Sequence, residues 1–352
     1  MNRKLASIAI IDEVKDIPDA DRISLVTLKN LGWQCVSGKN QFKPGEKVVY
    51  LEIDSVFERA AWNDFLWREG DKDKPTLRLK TAKFRKQISQ GLVVPLSVLD
   101  GKKFKSDVRD NPVYEWHEGQ EVTELLGLTK YEPAIPACLA GVCKGKFPSH
   151  TPKTDEFRIQ ACPGVLKEIV GKECYITTKV DGSSCTIVMN RGEYSVCSRN
   201  LEFKEEDTST FSEVARRYGL KEKLLALGKN LSLQCECYGG GIQGNKLNIK
   251  GHDFALFNVY SIDDGKYLDM AEAFDIAKAL GVPTVPVDAV LIAPSDWTVE
   301  SLLKLAEGLY PGTRNQREGI VIRPTIECYS AELKGRMSFK VVNNIFLANG
   351  GD

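Results

Sequence analysis

The sequence lacks several features that would place it in a class of protein at once. Its 48 lysine and arginine residues are balanced by 48 aspartate and glutamate residues, so the overall charge indicates no strongly charged partner. No apolar run reaches the roughly 18 residues that a membrane helix needs, and residues 1–12 hold only a short one. We therefore expect an intracellular protein, cytoplasmic or nuclear, with no membrane partner.

Patterns that bind metal through histidine and cysteine are also scarce. The three histidines, at positions 117, 150 and 252, are scattered along the chain. Cys235 and Cys237 form one close pair, but no second pair stands at the spacing of a zinc site. The ten cysteines are irregularly spaced, so we expect free thiols in a reducing compartment instead of disulfides or structural zinc.

The first part of the chain reads as a small β-barrel. At 352 residues, with 42% hydrophobic and 27% charged residues, the chain is folded and long enough for two domains. Short apolar runs separated by Pro, Gly and Asp turns predict strands at residues 7–11, 24–28, 33–37, 47–53 and 91–96. Strands of this length and spacing favour an OB-fold, which we place at residues 1–130.

A cluster of basic residues lies within this predicted domain. From Thr76 to Arg109, nine cations stand against Asp100 and Asp107, a local charge of +7. Charge alone does not separate a nucleic acid-binding surface from an ordinary solvated face. An OB-fold often presents such a surface to nucleic acid strands, so we predict that five of these residues bind it: Arg78, Lys80, Lys83, Arg85 and Lys86.

The rest of the chain predicts an α+β domain dominated by antiparallel sheet. Residues 131–153 carry four prolines and two glycines and are predicted as a linker before a domain at residues 154–352. Predicted strands lie at residues 173–180, 185–189, 194–198, 231–238, 254–260, 319–323 and 337–342. Capping boxes predict one helix starting at Thr210 and another running from Asp269 to Gly281.

A Lys-x-Asp-Gly motif lies at the end of one predicted strand. In a strand, Lys179 and Asp181 project to the same side. Taken alone, the motif also fits a surface lysine beside a turn. Five further segments follow it in order: residues 198–200 (SRN), 236–239 (ECYG), 254–260 (FALFNVY), 317–323 (REGIVIR) and 338–342 (SFKVV). Together they resemble the successive motifs of the covalent nucleotidyltransferases, the superfamily of ligases and capping enzymes.

Finer features resemble the RNA ligases. These are residues 236–247 (ECYGGGIQGNKL), 338–343 (SFKVVN) and 153–160 (KTDEFRIQ), together with residues 6–99, which resemble the N-terminal OB domain of the ligases typified by those of Deinococcus and Naegleria. The resemblance implies an ATP-dependent enzyme that uses Mg²⁺ or Mn²⁺ and joins RNA ends through a covalent lysyl-AMP, with nicked duplex RNA or bridged ends as substrate. We expect it to act as a monomer.

The resemblance also implies a role for each motif residue. Lys179 is the nucleophile, Asp181 and Glu318 hold the metal, and Glu236 binds a ribose hydroxyl. The remaining nucleotide contacts are Arg199, Lys340 and Arg158 on phosphates and Phe257 on adenine. Ordinary salt bridges or core packing are the alternative for each of these side chains. Lysine attacks only when neutral, and its usual pKa is about 10.4, so the site has to lower the pKa of Lys179.

One departure from the family and three rival functions remain at this point. The family often has a second lysine two residues after the first in its last motif, where this chain has Val342, so Lys334 or Arg336 is a candidate substitute. Rival enzymes are an mRNA-capping guanylyltransferase and a DNA ligase, in which an OB domain usually follows the last motif. In this sequence only 12 residues follow Lys340, too few for an OB domain, which argues against both rival enzymes. The rival from another class is a non-catalytic RNA-binding protein.

Overall fold

A computed structural model describes residues 4–109, 112–132, 141–204 and 206–349. The chain divides into two compact units: Met1–Ala134 with Leu347–Asp352, and Ile135–Phe346. This division falls inside the segment predicted as a linker, of which residues 133–140 lie outside the described residues. Cys143–Lys146, in the same segment, forms a strand in the second unit.

The described residues of the first unit form ten strands. They are β1 (Ala6–Asp16), β2 (Ile23–Leu28), β3 (Gln34–Gly38), β4 (Lys47–Leu51), β5 (Ser55–Glu58), β6 (Thr76–Arg78), β7 (Ala82–Phe84), β8 (Gln87–Ser89), β9 (Leu92–Pro95) and β10 (Thr129–Lys130). All five predicted strands are present within one to five residues of their expected bounds. The sequence did not reveal β5 to β8 or β10, because each has only two to four residues and none lies in a continuous apolar run such as the one that contains β9.

Five of these strands curl into a barrel. Their order is β3-β2-β1-β4-β9, and β1 carries a bulge between Ile11 and Val14 that lets it bend between two partners. The two ends of this order meet where the Gln90 N–H donates to the Gln34 carbonyl at 2.9 Å. Cys35 and Tyr50 face the interior, where both contact the Gln90 carbonyl, whereas Ile8, Val49 and Val94 lie in an apolar cluster on the other face of β1, β4 and β9.

The second unit holds the remaining elements. Its strands are β11 (Cys143–Lys146), β12 (Phe157–Arg158), β13 (Glu173–Lys179), β14 (Ser183–Asn190), β15 (Glu193–Cys197), β16 (Leu201–Phe203), β17 (Leu231–Gly239), β18 (His252–Ser261), β19 (Lys266–Tyr267), β20 (Val287–Ile292), β21 (Gly319–Pro324), β22 (Tyr329–Ser330), β23 (Gly335–Arg336) and β24 (Phe339–Val342). Its helices are α1 (Val165–Ile169), α2 (Thr210–Arg217), α3 (Leu220–Leu227), α4 (Met270–Leu280), α5 (Val299–Ala306) and α6 (Asn344–Ala348), the last of which extends past Phe346.

Two sheets position the chemistry of this unit. One has the order β11-β16-β15-β14-β17-β18-β19 and the other β12-β24-β21-β13-β20, with every pair antiparallel except β12 and β24. Each sheet has its own apolar core: α2, α3 and α4 pack on the first, and α1 and α5 pack on the second. Strand β13 therefore ends beside β21, and β14 starts beside the end of β17.

The helices adjust two expectations from the sequence. Helix α2 begins at Thr210, but its N-cap is Ser209, whose hydroxyl accepts the Ser212 N–H, so the predicted capping box of Thr210 and Glu213 is replaced by a single cap one residue earlier. Helix α4 has the expected box of Asp269 and Glu272 and ends at Gly281 in the left-handed conformation. Within the described residues, no helix combines the length and apolar composition that crossing a bilayer requires. The nine described cysteines are free thiols, and Cys138 lies outside the described residues.

Candidate active site

Lys179 lies at the end of β13, directly opposite Gly319 of β21. Its Nζ atom is 2.7 Å from a carboxylate oxygen of Glu318, and the two side chains are 23% and 18% exposed. The antiparallel pairing of β13 with β21 creates this contact, because it places the residue before Gly319 next to the last residue of β13. The amine thus points into a partly closed site, where it forms an ion pair with Glu318, the residue that the sequence predicts to be a metal ligand.

Three carboxylates surround this amine. Burial opposes the charged form of Lys179, but attraction to Glu318, Glu236 and Asp181 outweighs it and raises the lysine pKa. Burial, with repulsion from Glu318, raises the pKa of Asp181 to about 6. Burial raises the pKa of Glu236 to about 8 against the attraction of Lys179. Without nucleotide, the site therefore holds Lys179 as a protonated ammonium, the opposite of the lowered pKa that attack requires.

Two glycines let the strands approach closely enough to form this cluster. A Cβ atom on Gly182 would lie 2.3 Å from the Cys237 carbonyl oxygen and 3.0 Å from the Glu236 side chain. A Cβ atom on Gly319 would lie 2.1 Å from the Val341 carbonyl oxygen, and Gly319 has a φ of +150°. The glycine in Lys-x-Asp-Gly and the one in Glu-Gly are thus required by close backbone contact.

Sequence reasoning missed Tyr310, whose hydroxyl links the backbone of the site. It donates to the Lys179 carbonyl at 2.9 Å and accepts the N–H groups of Asp181 at 2.9 Å and Glu318 at 3.1 Å. Tyr310 is 2% exposed, so these hydrogen bonds are shielded from water. One side chain therefore fixes the backbone that carries the amine and both acids assigned to the metal.

Polar side chains brace the residues next to Lys179 and Glu318. The Asp288 carboxylate accepts from the Thr178 hydroxyl at 2.8 Å and from Arg317 at 2.7 Å. The buried Asn343 donates its backbone N–H to the Glu318 carbonyl at 2.8 Å. These contacts join β13, β21 and the end of β24, and they leave the site little freedom to rearrange.

Strand β17 presents Glu236 as its alternation predicts. Leu231, Leu233 and Cys235 face the apolar core, while Glu236 lies on the other face and pairs with Ser184 of β14. Phe257 faces the same side through a bulge, since Gln234 pairs with Asn258 and Cys235 pairs with Leu256. Bulges often redirect a side chain next to an active site.

The Phe257 ring packs at the rim of a small apolar cluster. Its neighbours include Val180, which lies between Lys179 and Asp181, and also Ala255 and Val285. The ring is only partly buried, which leaves part of it able to contact another flat group. Its role with adenine stays a prediction.

The predicted phosphate-binding cations differ in their surroundings. Lys340 in β24 lies beside Arg158 of β12 through the parallel pairing of the two strands. Burial, with repulsion from Lys179 and Arg158, lowers the pKa of Lys340 to about 7. Arg199 is half-exposed and 2.8 Å from Asp155. Lys340 is thus repelled by Lys179 and Arg158, and a polyanion such as a triphosphate would relieve that repulsion.

The position of the expected second lysine is apolar. Val342 is buried and pairs with Gly319 of β21. Arg336 is bound to the Glu327 carboxylate and lies over the Tyr267 ring, and Lys334 is exposed in the turn between β22 and β23. Arg336 already has a counterion, which makes it a poor substitute for the missing lysine.

The basic residues predicted to bind RNA fall into two groups. Arg78 contacts Asp54, with Nε 3.1 Å from the carboxylate, and its guanidinium lies 4.2 Å from the centre of the Tyr131 ring. Lys80, Lys83, Arg85 and Lys86 are exposed. Arg78 is therefore tied into the first unit, whereas the other four are open to a ligand.

Asp181 and Glu318 fit a divalent cation that also binds substrate. Across the described residues, no group of three or more His, Cys, Asp or Glu side chains could hold a metal on protein ligands alone. Mg²⁺ commonly uses one or two carboxylates together with phosphate oxygens and water. Burial and repulsion from Glu318 together raise the pKa of Asp181, and a cation beside both carboxylates would neutralise the repulsion.

Comparison with known proteins places this geometry in a family. The RNA ligase family profile matches residues 172–342, and an OB-fold domain profile matches residues 5–96. A lysine-to-methionine variant of Naegleria gruberi RNA ligase with AMP and Mn is 34% identical, with a TM-score of 0.83 and coverage of 99% of this chain and 99% of that chain. The same ligase with PPi is 35% identical, with a TM-score of 0.81 and coverage of 100% of both chains.

A further structure of that ligase, a lysine-to-alanine variant with ATP and Mn, is 35% identical, with a TM-score of 0.81 and coverage of 99% of this chain and 98% of that chain. No curated protein sequence matches the chain. The matches confirm the expected fold class, an N-terminal OB-fold barrel followed by a sheet-rich domain of the ligase type.

Proposed function

The chain belongs to the RNA ligase family, and from this premise we propose that it is an ATP-dependent RNA ligase that seals 3′-hydroxyl and 5′-phosphate ends through a lysyl-AMP intermediate. The observation that carries the proposal is the Lys179 amine 2.7 Å from Glu318, within a cluster completed by Asp181 and Glu236. ATP with Mn in the Naegleria ligase structure supports ATP as the substrate and a divalent metal as the cofactor here.

Lys179 performs the covalent step. Its Nζ atom loses a proton and forms a bond to the α-phosphorus of ATP, and the bond from that phosphorus to pyrophosphate breaks. An oxygen of the RNA 5′-phosphate then takes AMP from the lysine, whose amine is restored. The RNA 3′-hydroxyl finally displaces AMP, and the phosphodiester forms.

The acids and cations control the charge of this lysine. Asp181 and Glu318 would hold a Mg²⁺ or Mn²⁺ ion, which would neutralise carboxylate and phosphate charge. Burial opposes the ammonium form of Lys179, and attraction to Glu318 is the first of the contacts that stabilise it, so neutralising Glu318 would favour the neutral amine. Lys340, Arg199 and Arg158 hold phosphates, Glu236 a ribose hydroxyl and Phe257 the adenine. Tyr310 is a positioning residue, because it acts through the backbone of Lys179, Asp181 and Glu318.

We assign RNA binding to the barrel domain, residues 1–130, and catalysis to residues 154–352. Residues 131–153 connect the two and also contribute β11 to the sheet of the second unit. The substrate is a nick in duplex RNA or a pair of bridged ends, and the enzyme acts as a monomer. The nine free thiols suit a reducing compartment, the cytoplasm or nucleus.

The test follows AMP onto the protein. Wild-type protein is incubated with Mg²⁺ and α-labelled ATP or GTP, and label on the protein is measured after denaturation. Label from ATP is expected on the wild type and on Lys172→Arg, a matched control at an exposed lysine just before β13, and none is expected on Lys179→Arg. Label that persists on Lys179→Arg would remove this lysine from its role.

Sealing assays separate the rivals. RNA and DNA 3′-hydroxyl strands are offered opposite a 5′-phosphate on the same template. Joining of RNA 3′ ends supports the proposal, and joining confined to DNA 3′ ends would make the chain a DNA ligase. Label taken from GTP alone would indicate a capping guanylyltransferase, and RNA binding without label would indicate a non-catalytic binding protein.

A further inference from the structure

The β7–β8 hairpin of the first unit has an unusual tip. Residues 82–89 form two three-residue strands joined by Arg85 and Lys86, which have φ values of +47° and +70°. Two-residue hairpin turns with positive φ at both positions strongly favour Asn-Gly, Asp-Gly or Gly-Gly, because a side chain is strained there. Two long cationic side chains occupy the strained positions here, and such strain is typical of functional sites.

The tip offers cations and an aromatic ring to solvent together. Phe84 is 36% exposed, and Lys83, Arg85 and Lys86 are exposed around it. Over the part of the chain that the structure describes, no ion pair or side-chain hydrogen bond neutralises these three cations. Arg78, only a few residues earlier, contrasts with them because Asp54 and Tyr131 satisfy its guanidinium.

The base of the hairpin is anchored to the barrel. The Gln34 side-chain amide donates to the Ile88 carbonyl at 2.8 Å, and the Val36 N–H donates to the Ser89 hydroxyl at 2.9 Å. The next residue, Gln90, is 2% exposed and accepts from the Tyr50 hydroxyl at 3.0 Å. A fixed base and an exposed tip make this hairpin an arm that holds its charges in one place.

We propose that this arm binds unpaired RNA nucleotides, with Phe84 stacking on a base and Lys83, Arg85 and Lys86 contacting the flanking phosphates. Cations alone would suit the backbone of any duplex, but an exposed ring gains most from the flat face of a base that is not already stacked in a helix. The proposal rests on the proposed function and narrows its substrate: the arm favours bridged ends that have unpaired nucleotides beside the junction over a nick in a continuous duplex.

The test measures binding of fluorescein-labelled RNA by the full chain. The probes are a single-stranded RNA and a blunt-ended RNA duplex of equal phosphate number, each titrated at several salt concentrations. Phe84→Leu keeps apolar bulk without the aromatic face, and Phe65→Leu is its control because Phe65 is 67% exposed in the same unit. Loss of stacking is expected to weaken single-strand binding about tenfold, with less than a twofold change on the duplex.

The charges of the tip are tested without disturbing the turn. The double variant Arg85→Asn with Lys86→Gly removes both cations and installs the sequence that this turn prefers, so its melting temperature should equal or exceed that of the wild type. The salt dependence of single-strand binding should fall by about 1.4 in log–log slope. Lys29→Gln with Lys43→Gln, two exposed lysines elsewhere in the unit, should leave the slope unchanged.

Two results would contradict the proposal that the arm binds unpaired nucleotides. One is wild-type single-strand affinity in Phe84→Leu, and the other is an equal loss on single strand and duplex. AMP labelling of Lys179, measured on every variant, keeps the two proposals apart: a wild type that takes no AMP from ATP refutes the ligase, whereas variants that are labelled normally and bind RNA normally refute only the arm.

Discussion

The charged side chains around Lys179 and those at the tip of the β7–β8 hairpin differ in burial, in pairing and in how firmly they are held. At the active site the charges are partly buried, paired, and fixed by backbone hydrogen bonds to Tyr310. At the hairpin tip they are exposed on a strained turn whose base alone is anchored. Chemistry on one phosphorus atom needs fixed geometry and shifted pKa values, whereas holding a polyanion needs only accessible charge.

The largest expected effect in this comparison is at Lys179. Lys179→Arg keeps a cation beside Glu318, so the folded state should retain most of its stability. A guanidinium stays protonated and cannot attack phosphorus, so AMP labelling should fall by roughly 10³-fold or more. Labelling is measured beside a thermal melt. A variant that melts like the wild type and still takes AMP would show that the buried ion pair is structural only.

The sequence predicted the faces of Lys179 and Glu236, because alternation in β13 and β17 sets which face each side chain takes. The structure brings both side chains close to Asp181 and Glu318, and their catalytic roles stay predictions. The sequence could not predict Tyr310, which lies 131 residues from Lys179 and acts through a hydroxyl bond that only the tertiary fold creates. Nor could it predict the bulge that turns Phe257, since an extra residue in one strand leaves the apolar pattern unchanged.

In the barrel domain, too, only part of the structure could be predicted from the sequence. Its longer strands were visible from their apolar runs, but the β7–β8 hairpin was not, because Arg85-Lys86 lacks the turn residues that mark a hairpin in sequence. Charge counting also grouped Arg78 with the exposed cations, although the side chain is bound to Asp54. Partners that come from distant segments decide whether a charge is free.

A second expected effect is at Tyr310. Tyr310→Phe keeps the ring in its pocket but removes three hydrogen bonds to the backbone of the site. Leaving buried groups unpaired costs about 1–3 kcal/mol, and small displacements of catalytic groups can cost roughly 10²-fold in rate. We therefore expect AMP labelling to slow by about 10- to 100-fold, with a change in kcat and not in KM for ATP. Tyr329→Phe, whose ring is 68% exposed, is the control.

Only a defect in kcat larger than the loss of folded protein supports positioning by Tyr310. Circular dichroism and a denaturant melt give the folded fraction of each variant under the assay conditions. If the rate per folded molecule equals that of the wild type, the tyrosine is a packing residue and the active-site backbone is held by its strands alone.

A smaller effect is expected on stability, through Glu236. Burial raises its pKa from 4.5 to about 8, so between these values the folded state keeps a proton that the unfolded state releases. The free energy of unfolding therefore falls as pH rises through this window. Glu236→Gln cannot titrate, and it should gain roughly 3 to 4 kcal/mol relative to the wild type between pH 5 and pH 8. Urea melts with EDTA measure this, and Glu193→Gln, on an exposed residue, is the control. If the free energy of unfolding depends on pH in the same way for Glu236→Gln and the wild type, the group that holds this proton in the folded state is not Glu236.

The smallest expected effect separates Arg78 from the hairpin tip. Arg78→Gln breaks a partly buried pair with Asp54 and removes a guanidinium from the Tyr131 ring, so the free energy of unfolding should fall by about 1 kcal/mol. The salt dependence of RNA binding should stay at the wild-type slope, because this charge is already neutralised. Arg85→Gln should do the reverse: stability unchanged or slightly higher, and a slope about 0.7 smaller. If Arg78→Gln lowers the slope as much as Arg85→Gln, the salt bridge of Arg78 with Asp54 opens when RNA binds. Arg78 would then be as accessible to RNA as the hairpin cations, and the distinction between fixed and accessible cations in the first unit would be wrong.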